Sequence, residues 1–224
     1  MSIESHISFN GIEKKYLRKE PLFRDLSLSI KQKEFVFLTG ISGSGKSTFF
    51  KLIMGLEMPD KGSVCFNGET VNLIPPRQMP YHRRGIGIVF QDLKLLQKKT
   101  AYENIILPLL IRGVSKKQIQ SGVKRVSKRL SIEPILKQPV QALSGGEQQL
   151  VAIARATISV PRIILADEPT ANLDQAMAHK ILETFNNLNA NGATVIIATH
   201  DVGLIKAYQK RVLLIKDQNI IDVE

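Results

Sequence analysis

Residues Gly40–Thr48 read GISGSGKST, which fits G-x-x-x-x-G-K-[ST] with Gly40, Gly45, Lys46 and Ser47 on the defining positions. Before it, Phe35–Thr39 (FVFLT) has the β-branched and aromatic content of a short buried strand. After it, Thr48–Met54 continues without Gly or Pro and is predicted helical. Strand, loop and helix in that order build a phosphate cradle. Glycines at 40, 43 and 45 let successive N–H groups, including those of Ile41, Ser42 and Ser44, converge on phosphate oxygens, and the helix adds its positive end. Lys46 supplies a charge for the β- and γ-phosphates, the Ser47 hydroxyl can ligate Mg²⁺, and Thr48 closes the loop. The expected ligand is a nucleoside triphosphate.

Outward from the loop, the first third of the chain reads as strands: Ile7–Phe9, Leu26–Ile30 (LSLSI), Phe35–Thr39 and Ser63–Phe66, separated by turn residues. From Leu93 to Ala142 the character turns helical. Ile119, Val123, Val126 and Leu130 recur at helical spacing with Lys and Arg on the opposite face, an amphipathic helix. Strand-like and helical runs then alternate: Ile163–Ala166, a helix over Gln175–Asn189, Thr194–Thr199 and Val212–Lys216. This order predicts an α/β core with a parallel sheet and an inserted helical subdomain. No internal repeat and no linker divides the 224 residues into independent domains.

Composition narrows the classes further. No apolar run approaches the ~18 residues that span a bilayer; Ile105–Ile111 is the longest and Pro108 interrupts it. MSIESHISFN has neither a basic nor an apolar signal region, and Cys65 stands alone in a strand-like run as a small core residue, so a cytosolic setting is expected. The balance of 31 Lys+Arg against 20 Asp+Glu, +11 overall, is more informative. The basic pairs Lys14-Lys15, Arg83-Arg84, Lys98-Lys99, Lys116-Lys117 and Lys124-Arg125 are scattered, as solvated faces are. Attraction to anionic lipid headgroups is the alternative, and charge alone does not separate lipid from nucleic acid.

Two further runs carry chemistry. The apolar Ile163–Ala166 leads into Asp167-Glu168, which places two carboxylates at the carboxyl edge of the sheet, where ligands sit in open α/β folds. Asp167 is placed to hold the Mg²⁺ that Ser47 ligates, and Glu168 to accept a proton from water attacking the γ-phosphate. LSGGEQQ (Leu143–Gln149) puts Ser144-Gly145-Gly146 ahead of a helix-competent segment, a second anion-binding helix start with an N-capping Ser. One nucleotide does not need two cradles, so the second is expected to serve a nucleotide held by another copy.

With both cradles in place, the chain resembles the ATP-binding subunits of ABC systems over nearly its whole length. That resemblance implies a P-loop core with an N-terminal antiparallel β subdomain (about 1–92 and 158–224) and a helical signature subdomain (about 93–157). It also implies a homodimer closed by ATP, in which Ser144, Gly145, Gly146 and Glu147 reach the partner's nucleotide. By the same resemblance Tyr16 stacks on adenine, and Gln91, in VFQD, touches Mg²⁺ and the attacking water and senses the membrane partner. Asn172, Leu173 and Asp174 form the loop crossing the dimer interface, and His200, in ATHD, contacts the γ-phosphate. FLTG, VFQDLKLL, TAYENIILPL and FNNLNANGATVIIATHD are similar to the cell-division branch more than to the lipoprotein-release or macrolide-export branches. The implied partner is a polytopic membrane subunit, the implied place the cytoplasmic face of the membrane, and the implied task mechanical signalling to cell-wall hydrolases. A nucleic-acid or ribosome-acting member is disfavoured by the single cassette, the lack of a heptad insertion and the single Cys. Two departures stand out: Leu150 replaces the usual Arg after the signature, and Ala171 a common Gly. Leu93, Leu95 and Leu96 are expected either to fill the core or to line a groove for a helix of the membrane subunit.

Overall fold

The computed structural model describes residues 5–16 and 20–223, so the first four residues read for a signal lie outside it. In chain order the elements are β1 (Ser5–Lys14), β2 (Phe23–Lys31), β3 (Phe35–Thr39), α1 (Lys46–Ile53), β4 (Lys61–Phe66), β5 (Glu69–Thr70), α2 (Met79–Arg83) and β6 (Ile86–Val89). Then come α3 (Ala101–Ile111), α4 (Lys116–Leu130), α5 (Gly145–Thr157), β7 (Ile163–Asp167), α6 (Gln175–Ala190), β8 (Thr194–Ala198), α7 (Val202–Tyr208), β9 (Arg211–Lys216) and β10 (Asn219–Val223). They form a six-stranded sheet of order β10-β9-β3-β8-β7-β6 and a four-stranded sheet of order β2-β1-β4-β5. Pairing in the larger sheet is parallel from β9 to β6, with β10 antiparallel at the edge; the smaller sheet is antiparallel.

The period of two explains why the central strands read as unbroken apolar runs. Phe35 and Phe37 of β3 point into one core, with Ile164, Ala166, Val195 and Ile197 beside them and helices α3–α6 above. Val36 and Leu38 point the other way, into a second core shared with Phe49, Phe50 and the antiparallel sheet. Strands covered on both faces have no polar side to show, as parallel sheets require. On α4, Ile119, Val123, Val126 and Leu130 are all buried, as their spacing predicts. Leu150 is buried in the same core.

Three helices begin in capping boxes: Thr100 with Glu103 on α3, Ser115 with Gln118 on α4, and Ser144 with Glu147 on α5. Cys65 is half-buried rather than core: Val64 and Phe66 take the inward face of β4, and its thiol sits 3.6 Å from the Thr70 hydroxyl. The leucine segment divides sharply. Leu95 is buried and Leu93 packs against the core, whereas Leu96 is about half exposed. Among the described residues, no helix is long and apolar enough to cross a membrane.

Candidate functional site

At the carboxyl ends of β3, β7 and β8 a cleft of about 690 Å³ opens. Its walls bring together Tyr16, the loop residues Gly40–Gly43 and Gly45–Thr48, and Gln91, Asp167, Glu168 and His200. Loop shape depends on its glycines. A Cβ on Gly40 would stand 2.9 Å from the Ile215 carbonyl oxygen, and Gly45 holds φ 115°, so neither position accepts a side chain without rearrangement. Ser44 does not line the cleft; its hydroxyl is buried without a partner. The amine of Lys46 donates to the carbonyls of Gly40 (2.8 Å) and Ile41 (3.2 Å), drawing its charge across the mouth of the loop.

The two carboxylates have different surroundings although they are neighbours in sequence. Asp167 accepts from the Ser47 hydroxyl at 2.8 Å, joining the phosphate loop to β7. Burial pushes its carboxyl above the ordinary range; the Ser47 hydrogen bond opposes this, Glu168 adds to it and Lys46 opposes it. Glu168 turns the chain out of the strand with φ 47°, its N–H donating to the Ala198 carbonyl. That turn brings Oε1 of Glu168, on a side chain only 10% exposed, to 2.7 Å from Nδ1 of His200. An ionised Glu168 therefore holds a proton on Nδ1 and leaves Nε2 of the exposed ring to other partners.

Because the folded protein holds the Asp167 proton more tightly than the unfolded chain does, that contribution to stability is full below the unfolded pKa. It is lost as pH rises through the folded one. At neutral pH the ionised group is therefore a cost to the ligand-free fold. Asp167→Asn keeps an acceptor for Ser47 without the charge and is expected to raise the ligand-free Tm by about a few degrees at pH 7. The two melting curves should converge in acid; a variant melting below the parent at pH 7 would refute the assignment.

Whether these groups suit a metal can be judged from the donor set. Ser47 hydroxyl, Asp167 carboxylate and Gln91 amide offer hard oxygens, the chemistry of Mg²⁺. Among the described residues no group of three or more His, Cys, Asp or Glu side chains gathers as a metal cage.

Tyr16 borders the cleft with its polar end tied down. Its hydroxyl lies 3.1 Å from Thr48 Oγ1 and donates to Glu57 at 2.7 Å. Burial works against the Glu57 charge, but bonds from Tyr16, Lys51 and Lys14 outweigh it and hold the carboxyl below the usual range. Glu57 was not singled out from the sequence; an acid in a loop gives no signal until its partners are seen.

The signature residues Ser144–Glu147 do not line this cleft. Ser144 caps α5: its hydroxyl donates to Glu147 Oε2 at 2.8 Å and its N–H at 2.9 Å. These bonds hold the Glu147 carboxyl below its ordinary range. A Cβ on Gly146 would come 2.7 Å from the end of Met177, so the signature turn packs against the start of α6. Asn172 takes φ 61°, Leu173 packs on the core and Asp174 caps α6 through the Met177 N–H. Ala171, not these three, reaches the cleft.

One residue missed in the sequence is Arg155. Its guanidinium, half-buried in α5, donates to the carbonyls of Leu93 and Lys94, two successive residues with left-handed φ (53° and 48°) that follow Gln91. Beside this turn runs a groove of about 440 Å³ lined by Ile88, Phe90, Pro108 and Ile111 together with Arg84 and Arg112. Leu93, Leu95 and Leu96 do not line it; of the two alternatives for that segment, Leu95 and Leu93 take the core and Leu96 stays half exposed.

Residues 23–171 match the family described as ABC transporter. The chain is 41% identical over 215 residues to the cell division ATP-binding protein FtsE of Escherichia coli K12, covering 96% of each chain. It is 37% identical to the FtsE of Bacillus subtilis, over 96% of this chain and 94% of that protein. Among solved structures it is similar to the ATP-binding cassette MJ0796, a dimer in a post-hydrolysis state bound to ADP and Pi. The TM-score is 0.87 and the identity 33%, over 97% of this chain and 98% of that one.

Proposed function

The chain belongs to the ABC transporter family and is an ATPase of the FtsE type, and from that premise we propose that two copies close on two ATP molecules to drive a membrane partner. The observation that carries the reading is the single cleft that gathers the phosphate loop, Asp167, Glu168 and His200 while leaving the signature turn outside. In this reading Lys46 and the loop amides hold the phosphates, and Ser47, Asp167 and Gln91 hold Mg²⁺, which when bound offsets phosphate charge. Tyr16 offers its ring to adenine. Glu168 takes the proton of the attacking water, and His200, oriented by the same carboxylate, faces the γ-phosphate. Ser144, Gly145, Gly146 and Glu147 serve the partner copy's nucleotide, and Asn172, Leu173 and Asp174 run along the interface between copies.

The partner is a polytopic subunit of the FtsX kind, and the chain sits peripherally on the cytoplasmic face of the membrane, signalling to cell-wall hydrolases rather than moving a solute. A lipoprotein-release or macrolide-type export partner is the alternative. The groove beside Gln91 suits a short helix with apolar anchors. Ile111, 80% exposed on its wall, can be changed without disturbing the core. Ile111→Lys adds a cation between Arg84 and Arg112 and removes an apolar seat, and should weaken co-purification with the membrane subunit about tenfold or more. ATP turnover and Tm of the isolated chain should hold. Undiminished co-purification would move the docking site elsewhere.

A further inference from the structure

The exposed side of α4 carries Lys116, Lys117, Lys124, Arg125, Lys128 and Arg129, and every one of the six is exposed. Between Glu103 and Glu133 the chain contains no acidic residue at all. None of the six forms an ion pair with a described carboxylate. Local stability accounts for only part of this arrangement: Arg125 donates to the Ile158 carbonyl, and Lys128 and Arg129 suit the last turn. Lys116 and Lys117 stand in the first turn, where the helix end is already positive, and Lys124/Lys128 and Arg125/Arg129 are like charges one turn apart. Even the capping box is neutral here, with Gln118 where α3 and α5 use Glu103 and Glu147.

The charge also runs on beyond the helix. Arg125 and Arg129 border a hollow that they share with Arg162 and the exposed Val160. Arg162 and Arg112 border the adjoining cleft, and Arg112 lines the groove with Ile111. A continuous basic band with exposed aliphatic residues along it thus leads from α4 to the surface assigned above to the membrane subunit.

We infer that this band docks on anionic lipid headgroups of the membrane that holds the partner subunit. The inference rests on the membrane-complex reading above. Basic heads beside single exposed aliphatics suit the headgroup layer. Nucleic acid is the less favoured polyanion because α4 offers no aromatic ring for bases to stack on.

The test uses the isolated chain without its membrane subunit, so its outcome is separate from that of the co-purification experiment. Co-sedimentation is measured with phosphatidylcholine vesicles, with and without phosphatidylglycerol, at low and high salt. Binding is expected only to the anionic vesicles and should fall with salt. The triple variant Lys117→Gln, Lys124→Gln, Lys128→Gln keeps helix propensity and should bind about 100-fold more weakly, roughly fivefold per charge. Its ATP turnover should match the parent, and Ile111→Lys should still bind the vesicles. Equal binding to both vesicle types, or unchanged binding by the triple variant, would overturn the inference. So would tighter binding to a DNA duplex than to anionic vesicles in the same buffer.

Discussion

Glu168→Gln is expected to lower ATP turnover by about 10²–10⁴-fold while leaving ATP binding intact. The amide keeps the shape of the side chain and can still accept from His200 Nδ1, 2.7 Å away, but it no longer takes a proton from water. With hydrolysis slowed and nucleotide retained, the variant should accumulate as an ATP-bound dimer, seen by size exclusion with and without ATP. The backbone complicates the design in one way: Glu168 holds φ 47°, and Gln must adopt the same turn. A melt of the variant checks that it does. Near-parental turnover in a folded variant would remove Glu168 from the role of base.

Ser144→Arg should leave ATP binding by dilute monomers unchanged and abolish ATP-dependent dimerisation. Hydrolysis should fall by about 10²-fold or more, the scale on which losing a positioned anion donor acts. Ser144 lies outside the nucleotide cleft of its own chain, so bulk placed there does not touch the first cradle. The substitution also removes an N-cap from α5, which costs about 1 kcal/mol and a few degrees of Tm. That is too little to unfold the chain or to mimic a failure to dimerise. Loss of nucleotide binding in the monomer would instead place the two cradles around one ligand.

Much of this was legible in advance because its causes are local. The phosphate loop, the buried runs Phe35–Thr39 and Ile163–Ala166 and the apolar stripe of α4 each state their environment within a few residues. What stayed hidden depends on contacts between distant segments or on unusual backbone. β6 is interrupted by Gly87, and β10 is a half-exposed edge, so neither shows a clear period. Left-handed φ at Leu93 and Lys94 breaks the spacing from which one would judge which leucine points inward. Leu95 therefore went into the core and Leu96 out without a pattern to say so. The bonds of Tyr16 to Glu57, and of Arg155 to the turn after Gln91, link residues far apart in the chain and leave no mark on either sequence neighbourhood.

The capping box of α5 has a consequence for association. The end of that helix already has a resident anion, because the Glu147 carboxylate is held by both the hydroxyl and the N–H of Ser144 and is kept firmly ionised. In the dimer proposed above, Glu147 serves the partner's nucleotide by fixing Ser144 and the start of α5, while its own charge opposes the incoming phosphate. On the dimer reading, a small anion has only this helix end to bind and gains little, whereas the triphosphate also brings the contacts of the partner's cleft. In a lone copy the same carboxylate disfavours stray anions at the start of α5, so on the dimer reading closure is expected to wait for the triphosphate.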